Sequence, residues 1–209
     1  MEENTAVVSC ITDALRPLLR EHERVFLCYY EGYECLLAQS TAQAVAQLGG
    51  ECISWKDDRR WYALLRQVFL SRARVLVGSP QLILGLAKIA RATRTPLPVR
   101  HVLLLGKAGE HWLLDGIRNS LDAEIHTCSI NVNAPCVMGA SDSLIEQLEN
   151  MLLSWSSILD FSAKQTELGL LLKITVFPGL RLPPLPSGAS VTVHPWTPKE
   201  DIPYCLQDG

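Results

Sequence analysis

The feature that most constrains this chain is a unit that repeats through its first two-thirds: a short apolar run, a turn signal, then a longer stretch with helical spacing. Arg24–Tyr30 (RVFLCYY) predicts a strand and Glu34–Leu48 a helix that Gly49-Gly50 stops, as glycine does at a C-terminal cap. Glu51–Trp55 predicts the next strand. Asp57-Asp58 then places two carboxylates at the positive end of a helix running to about Arg72. Arg74–Gly78 predicts a strand, and Ser79-Pro80 opens a helix with proline in its tolerated first-turn position. Val99–Leu105, Gly109–Leu121 and Glu124–Ile130 continue the series as strand, helix and strand. Five apolar strands alternating with four helices imply an α/β fold, a mostly parallel sheet with helices on both faces.

Ala6–Arg20 and Ser141–Ser156 predict flanking helices. From Ile158 the character changes: Leu170–Phe177 and Ser190–His194 predict strands, and prolines crowd the chain beyond residue 177. The expected organisation is an α/β region over residues 1–156 and a small β-rich region over 157–209.

Composition excludes several function classes. Hydrophobic residues at 48% and charged residues at 20% suit a packed core rather than disorder. A formal charge of −3 gives no basic footprint for a phosphate backbone, so nucleic acid is not expected as a partner. No apolar run approaches the length of a membrane span, so no membrane partner is expected either. The acidic start and seven scattered cysteines predict reduced thiols and a cytoplasmic location.

Phosphate-binding motifs fail one by one. Gly106-Lys107 follows a strand and precedes a helix, but the glycine a P-loop needs five residues earlier is missing. Ala108 stands where Ser or Thr would hold magnesium. The first strand–helix turn, residues 30–34, has one glycine where the dinucleotide fingerprint uses three. Gly139–Ser143 lacks the second glycine of a nucleophile elbow.

Two groups of side chains are candidates for chemistry. Tyr29, Tyr30 and Tyr33 fall at the carboxyl end of the first strand, where open α/β sheets bind ligands; they either wall a substrate pocket or pack in the core. His126 and Cys128 share a face of their strand; as a pair they could make a thiolate nucleophile, and with Cys136 they would offer zinc three of the four ligands it usually takes. No fourth ligand is near in sequence, and two buried thiols beside a hydrogen-bonded histidine account for them without a metal, so no metal is expected. Trp55, Trp61 and Trp112 fit packing roles.

Arg74–Ala92 (RVLVGSPQLILGLAKIARA) and Leu103–Arg118 (LLLGKAGEHWLLDGIR) carry a resemblance. Gly78-Ser79-Pro80 and the Ala108-Gly109-Glu110-His111-Trp112 string resemble turns of the phenylacetate–CoA ligase branch of the adenylate-forming enzymes, over about residues 24–130. The resemblance implies that Lys107, Ala108, Gly109 and Glu110 form a wall against an adenine nucleotide, AMP or ATP, with an acyl or aryl carboxylate as the second ligand. Where that family has a Tyr-Gly-x-x-Glu motif for magnesium, Ile125–Pro135 has neither an acid nor a Tyr-Gly pair. The family's phosphate loop and lid lysine have no counterpart within these 209 residues. The expectation is a degenerate, truncated relative that is not a self-sufficient ligase and acts as a ligand-binding or assembly protein, as a homo-oligomer or with a partner protein. One part of a split ligase, and a stand-alone small-ligand module, are the alternatives.

Overall fold

The structure is a computed structural model, and it describes residues 2–29, 35–55, 61–106, 111–130, 151–155, 157–166, 169–179, 181 and 189–196. The chain divides into two compact units, Met1–Val132 and Asn133–Gly209.

The first unit runs α1 (Glu2–Leu15), β1 (Arg24–Cys28), α2 (Cys35–Gln47), β2 (Glu51–Ser54), α3 (Trp61–Ser71), β3 (Val75–Gly78), α4 (Pro80–Ala92), β4 (His101–Leu105), α5 (His111–Arg118) and β5 (Glu124–Cys128). All five strands pair in parallel, in the order β2-β1-β3-β4-β5. This is the α/β architecture expected from the repeated unit, with each strand slightly shorter than its apolar run. The first helix ends at Leu15 rather than Arg20. Pro17 explains that, because the residue before a proline is pushed out of the helical region.

Alternation along the strands assigns the two faces. Val25, Leu27, Val75, Val77, Leu103, Leu105 and Cys128 pack with Val8, Ile11 and Leu15 of α1 and Ala44 and Val45 of α2 in one buried cluster. Phe26, Leu76, Val102 and Leu104, one position out of phase, are also buried. They point to the opposite face, because successive strand side chains alternate. Each such side chain contributes about 1.5–3 kcal/mol on burial. Both faces are therefore covered.

Local chemistry ends α2 and starts α4 where expected, whereas α5 stops at Arg118, short of the expected Leu121. Gly49 at φ 75° caps α2, and the Gly50 amide donates to the Val45 carbonyl at 3.0 Å. Ser79, with φ −69° and ψ 144°, precedes α4, and Pro80 occupies its first turn. A Cβ on Gly85 would collide with the Trp61 indole, so α3 and α4 approach through that glycine.

The second unit holds β6 (Ile158–Thr166), β7 (Gly169–Val176) and β8 (Ala189–Pro195). β6 and β7 are antiparallel, and β7 and β8 are parallel. The later two answer to predicted strands; β6 was not expected, since DFSAKQT is a largely polar stretch. Phe177 and Trp196 meet edge-on, with ring centroids 5.6 Å apart. Of the helix expected over 141–156, residues 151–153 are helical, while 141–150 and 156 lie outside the described residues.

Among the described residues, no helix is long and apolar enough to cross a membrane.

Candidate functional site at the carboxyl edge of the sheet

Strand order marks the edge where a parallel sheet of this kind would take a ligand. β1 is followed in sequence by β2 on one side and then by β3 on the other, so the chain reverses direction across the sheet there. Open parallel sheets bind ligands outside the carboxyl ends of the strands at such a switch point. Here β1 ends at Cys28 and β3 at Gly78, paired in register. A Cβ on Gly78 would collide with the Cys28 carbonyl oxygen and Cβ, so only glycine permits this approach.

Ser79 follows immediately. It is 7% exposed, it makes no side-chain capping bond to α4, and its Oγ has no hydrogen-bond partner among the described residues. A shielded hydroxyl without a partner costs about 1–3 kcal/mol. It stands at the amino end of a 13-residue helix, where unpaired N–H groups and the helix dipole favour negative charge.

The structure places the sequence candidates as follows. Tyr29 is 5% exposed and belongs to the core cluster, with its hydroxyl 3.4 Å from Thr41 Oγ1 of α2. It packs beneath α2. Tyr30 and Tyr33 lie outside the described residues, as do Lys107, Ala108, Gly109 and Glu110. The segments that carry them follow β1 and β4, whose carboxyl ends share this edge. Trp55 and Trp61 are buried, as packing roles require.

His126 and Cys128 find separate partners, and Cys136 lies outside the described residues. The Cys128 thiol sits 3.6 Å from the Cys10 thiol of α1. Burial, then the hydrogen bond and charge of Cys10, push the Cys128 thiol up to about 12, so it stays protonated at neutral pH and is no ready nucleophile. His126 instead faces Glu124 and His101 near the amino ends of β5 and β4. Sequence reasoning missed His101 because only strand register brings it to β5, and it missed Glu124 although the Glu124-x-His126 spacing on one strand could have signalled it.

No family model and no curated protein sequence matches the chain. Solved structures do. An open conformation of 2-hydroxyisobutyryl-CoA ligase, in complex with 2-HIB-AMP and CoA, is similar at a TM-score of 0.53 and 14% identity, over 64% of this chain and 31% of that one. The same ligase with 2-HIB-AMP and CoA in its thioesterification state gives 0.51 and 12%, over 61% and 28%. Over 64% of its length the chain shares the fold of one portion of that CoA ligase. It spans less than a third of that ligase's length.

Proposed function

We propose that this protein binds a small anionic ligand at the carboxyl edge of its five-stranded sheet, and that it does not perform ligase chemistry by itself. The ligand class is an adenine nucleotide or an acyl or aryl carboxylate, the aryl class following from the sequence resemblance to phenylacetate–CoA ligases. The observation that carries this reading is the shielded, unpartnered Ser79 hydroxyl at the amino end of α4, beside the β1–β3 switch point. A phosphate or carboxylate oxygen placed there would accept from that hydroxyl and from the first-turn amides.

Binding is favoured over catalysis by charge. Joining a carboxylate to the α-phosphate of ATP brings two anions together, and magnesium and cationic side chains normally neutralise them. At the described carboxyl ends, Cys28-Tyr29, Ser54-Trp55, Gly78-Ser79, Leu105-Gly106 and Cys128–Ile130 include no charged residue. The segments that follow β1, β2 and β4 carry Glu31, Glu34, Lys56, Asp57, Asp58, Arg59, Arg60, Lys107 and Glu110, in which acids balance the bases and leave no cationic excess for two anions. We read the protein as working in an assembly, with a second copy or a partner chain. Phe69 and Leu70 of α3, 47% and 61% exposed, support that reading.

Calorimetry with AMP, ATP and aryl carboxylates, with and without magnesium, tests the proposal alongside ATP–pyrophosphate exchange. AMP should bind at least as tightly as ATP, Glu110→Ala should weaken it, and exchange should be absent. Magnesium-dependent exchange by the pure chain would overturn the reading. Exchange that appears only on adding a second polypeptide would make this chain one part of a split ligase.

A further inference from the structure

We propose that His101, Glu124 and His126 form a binding site for one divalent transition-metal ion of the zinc type, at the amino edge of the sheet and at the opposite end of the strands from Ser79.

Strand register builds the cluster. His101 opens β4 and Glu124 opens β5, and the two are paired; His126 pairs with Leu103. Paired residues of parallel strands share a face, as do residues two apart on one strand. All three side chains therefore project from the face on which Leu103 packs.

The ligand atoms converge. Glu124 Oε2 lies 3.4 Å from His101 Nδ1 and 3.8 Å from His126 Nε2, and all three atoms lie within 4.8 Å of one another. Around tetrahedral zinc, with bonds of about 2.0–2.2 Å, neighbouring ligand atoms are about 3.3–3.5 Å apart. Two edges of the triangle are thus near their liganded lengths, and modest side-chain rotation closes the third. The imidazoles are tilted 48° with centroids 5.6 Å apart, so they do not stack face to face.

An ordinary ion pair explains the cluster poorly. A hydrogen bond from imidazole to carboxylate would be about 2.7–3.2 Å long, and both contacts exceed that. His101 Nδ1 and His126 Nε2 are shielded from solvent and have no hydrogen-bond partner among the described residues. Two shielded ring nitrogens converging on one carboxylate oxygen are satisfied together by a cation in the gap. Neutral imidazole and carboxylate suit zinc and its neighbours, whereas a hard ion such as magnesium prefers oxygens. Glu124 is 67% exposed, leaving a route in and an open position for water. Bound there, the ion would tie the edge strand β5 to β4.

The test uses the full chain, stripped with a chelator and kept reduced. Zinc is titrated against a chromophoric chelator, and cobalt is followed by its visible absorption. Wild type should take up one ion per chain, with a rise in Tm. Glu124→Gln, His101→Gln and His126→Asn should each weaken uptake about tenfold or more, while Cys10→Ser should not. Cobalt spectra should lack thiolate charge-transfer bands. If a variant fails to fold, imidazole nitrogen NMR on wild type decides: zinc should shift the signals of two of the five histidines. Absence of stoichiometric uptake, uptake that survives the three replacements, or thiolate bands would each overturn the proposal.

Discussion

The two edges of the five-stranded sheet present different side chains among the described residues. At the carboxyl edge the described residues are uncharged, and the feature there is a hydroxyl at a helix terminus beside glycine-mediated close packing. At the amino edge, Arg24, Glu51, His101 and Glu124 open β1, β2, β4 and β5. The contrast teaches where specificity comes from. Under the readings proposed above, the first edge would hold an anion through directed dipoles and the second a cation through paired side chains.

Gly78→Ala should break the carboxyl edge with the largest effect. The new methyl would meet backbone and Cβ atoms of Cys28, which cannot swing aside. A loss of about 2–3 kcal/mol is expected, read as a lower midpoint in urea, together with loss of nucleotide binding. Zinc uptake at the amino edge should persist in the folded fraction. Unchanged stability would mean that β1 and β3 do not approach as described.

Lys88, half-buried on α4, gives the next effect. Burial pushes its amine down from an ordinary 10.5 to about 8. Below pH 8 the folded protein carries a charge that burial penalises. As pH rises from about 8 towards 10.5 the folded state releases that proton before the unfolded state does, so stability should climb. Allowing for solvent screening, the gain is about 1–2 kcal/mol. The climb should vanish in Lys88→Met, and denaturant midpoints across that pH range measure it.

Ser79→Ala sharpens the comparison by separating stability from binding. Removing a shielded hydroxyl that has no partner should leave stability unchanged or raise it by about 1 kcal/mol. Affinity for AMP should fall severalfold. A variant that is less stable and binds equally well would return Ser79 to a purely structural role.

Much of this was legible in the sequence, and the reason is periodicity. Each apolar run of β1 to β5 sits between turn residues, so its strand could be read locally, and Gly49 and Pro80 marked helix ends. β6 escaped because its polar stretch becomes a strand only beside β7, whose own run is apolar. The site divides the same way. The strand–Gly-Ser-Pro–helix turn at residue 79 is contiguous and readable as a helix start, but the burial that leaves the Ser79 hydroxyl unpaired is not, and the sequence alone points to no site residue there. His101 and Glu124 are far apart in sequence and meet only through the β4–β5 register, which no local spacing reveals. His126 is legible with Cys128 two residues after it, but Glu124, two residues before it on the same face, is equally close, and only His101 lies across the parallel crossover.

The smallest expected effect is also the best control on the amino edge. Arg24 and Glu51 open neighbouring strands and are paired in register, just as His101 and Glu124 are. Yet Arg24 Nε reaches Glu51 Oε2 at 2.8 Å, a proper hydrogen-bonded ion pair, and both side chains are about half exposed. Such a pair contributes little, because water already solvates both charges and salt screens them. Glu51→Gln should therefore cost no more than about 0.5 kcal/mol, a cost that shrinks as salt is added. It should leave zinc uptake untouched, whereas Glu124→Gln should remove most of it. The two substitutions delete the same charge from the same edge of the same sheet. If they weaken zinc uptake equally, the ion responds to edge charge in general, and the converging nitrogens of His101 and His126 do not define a site.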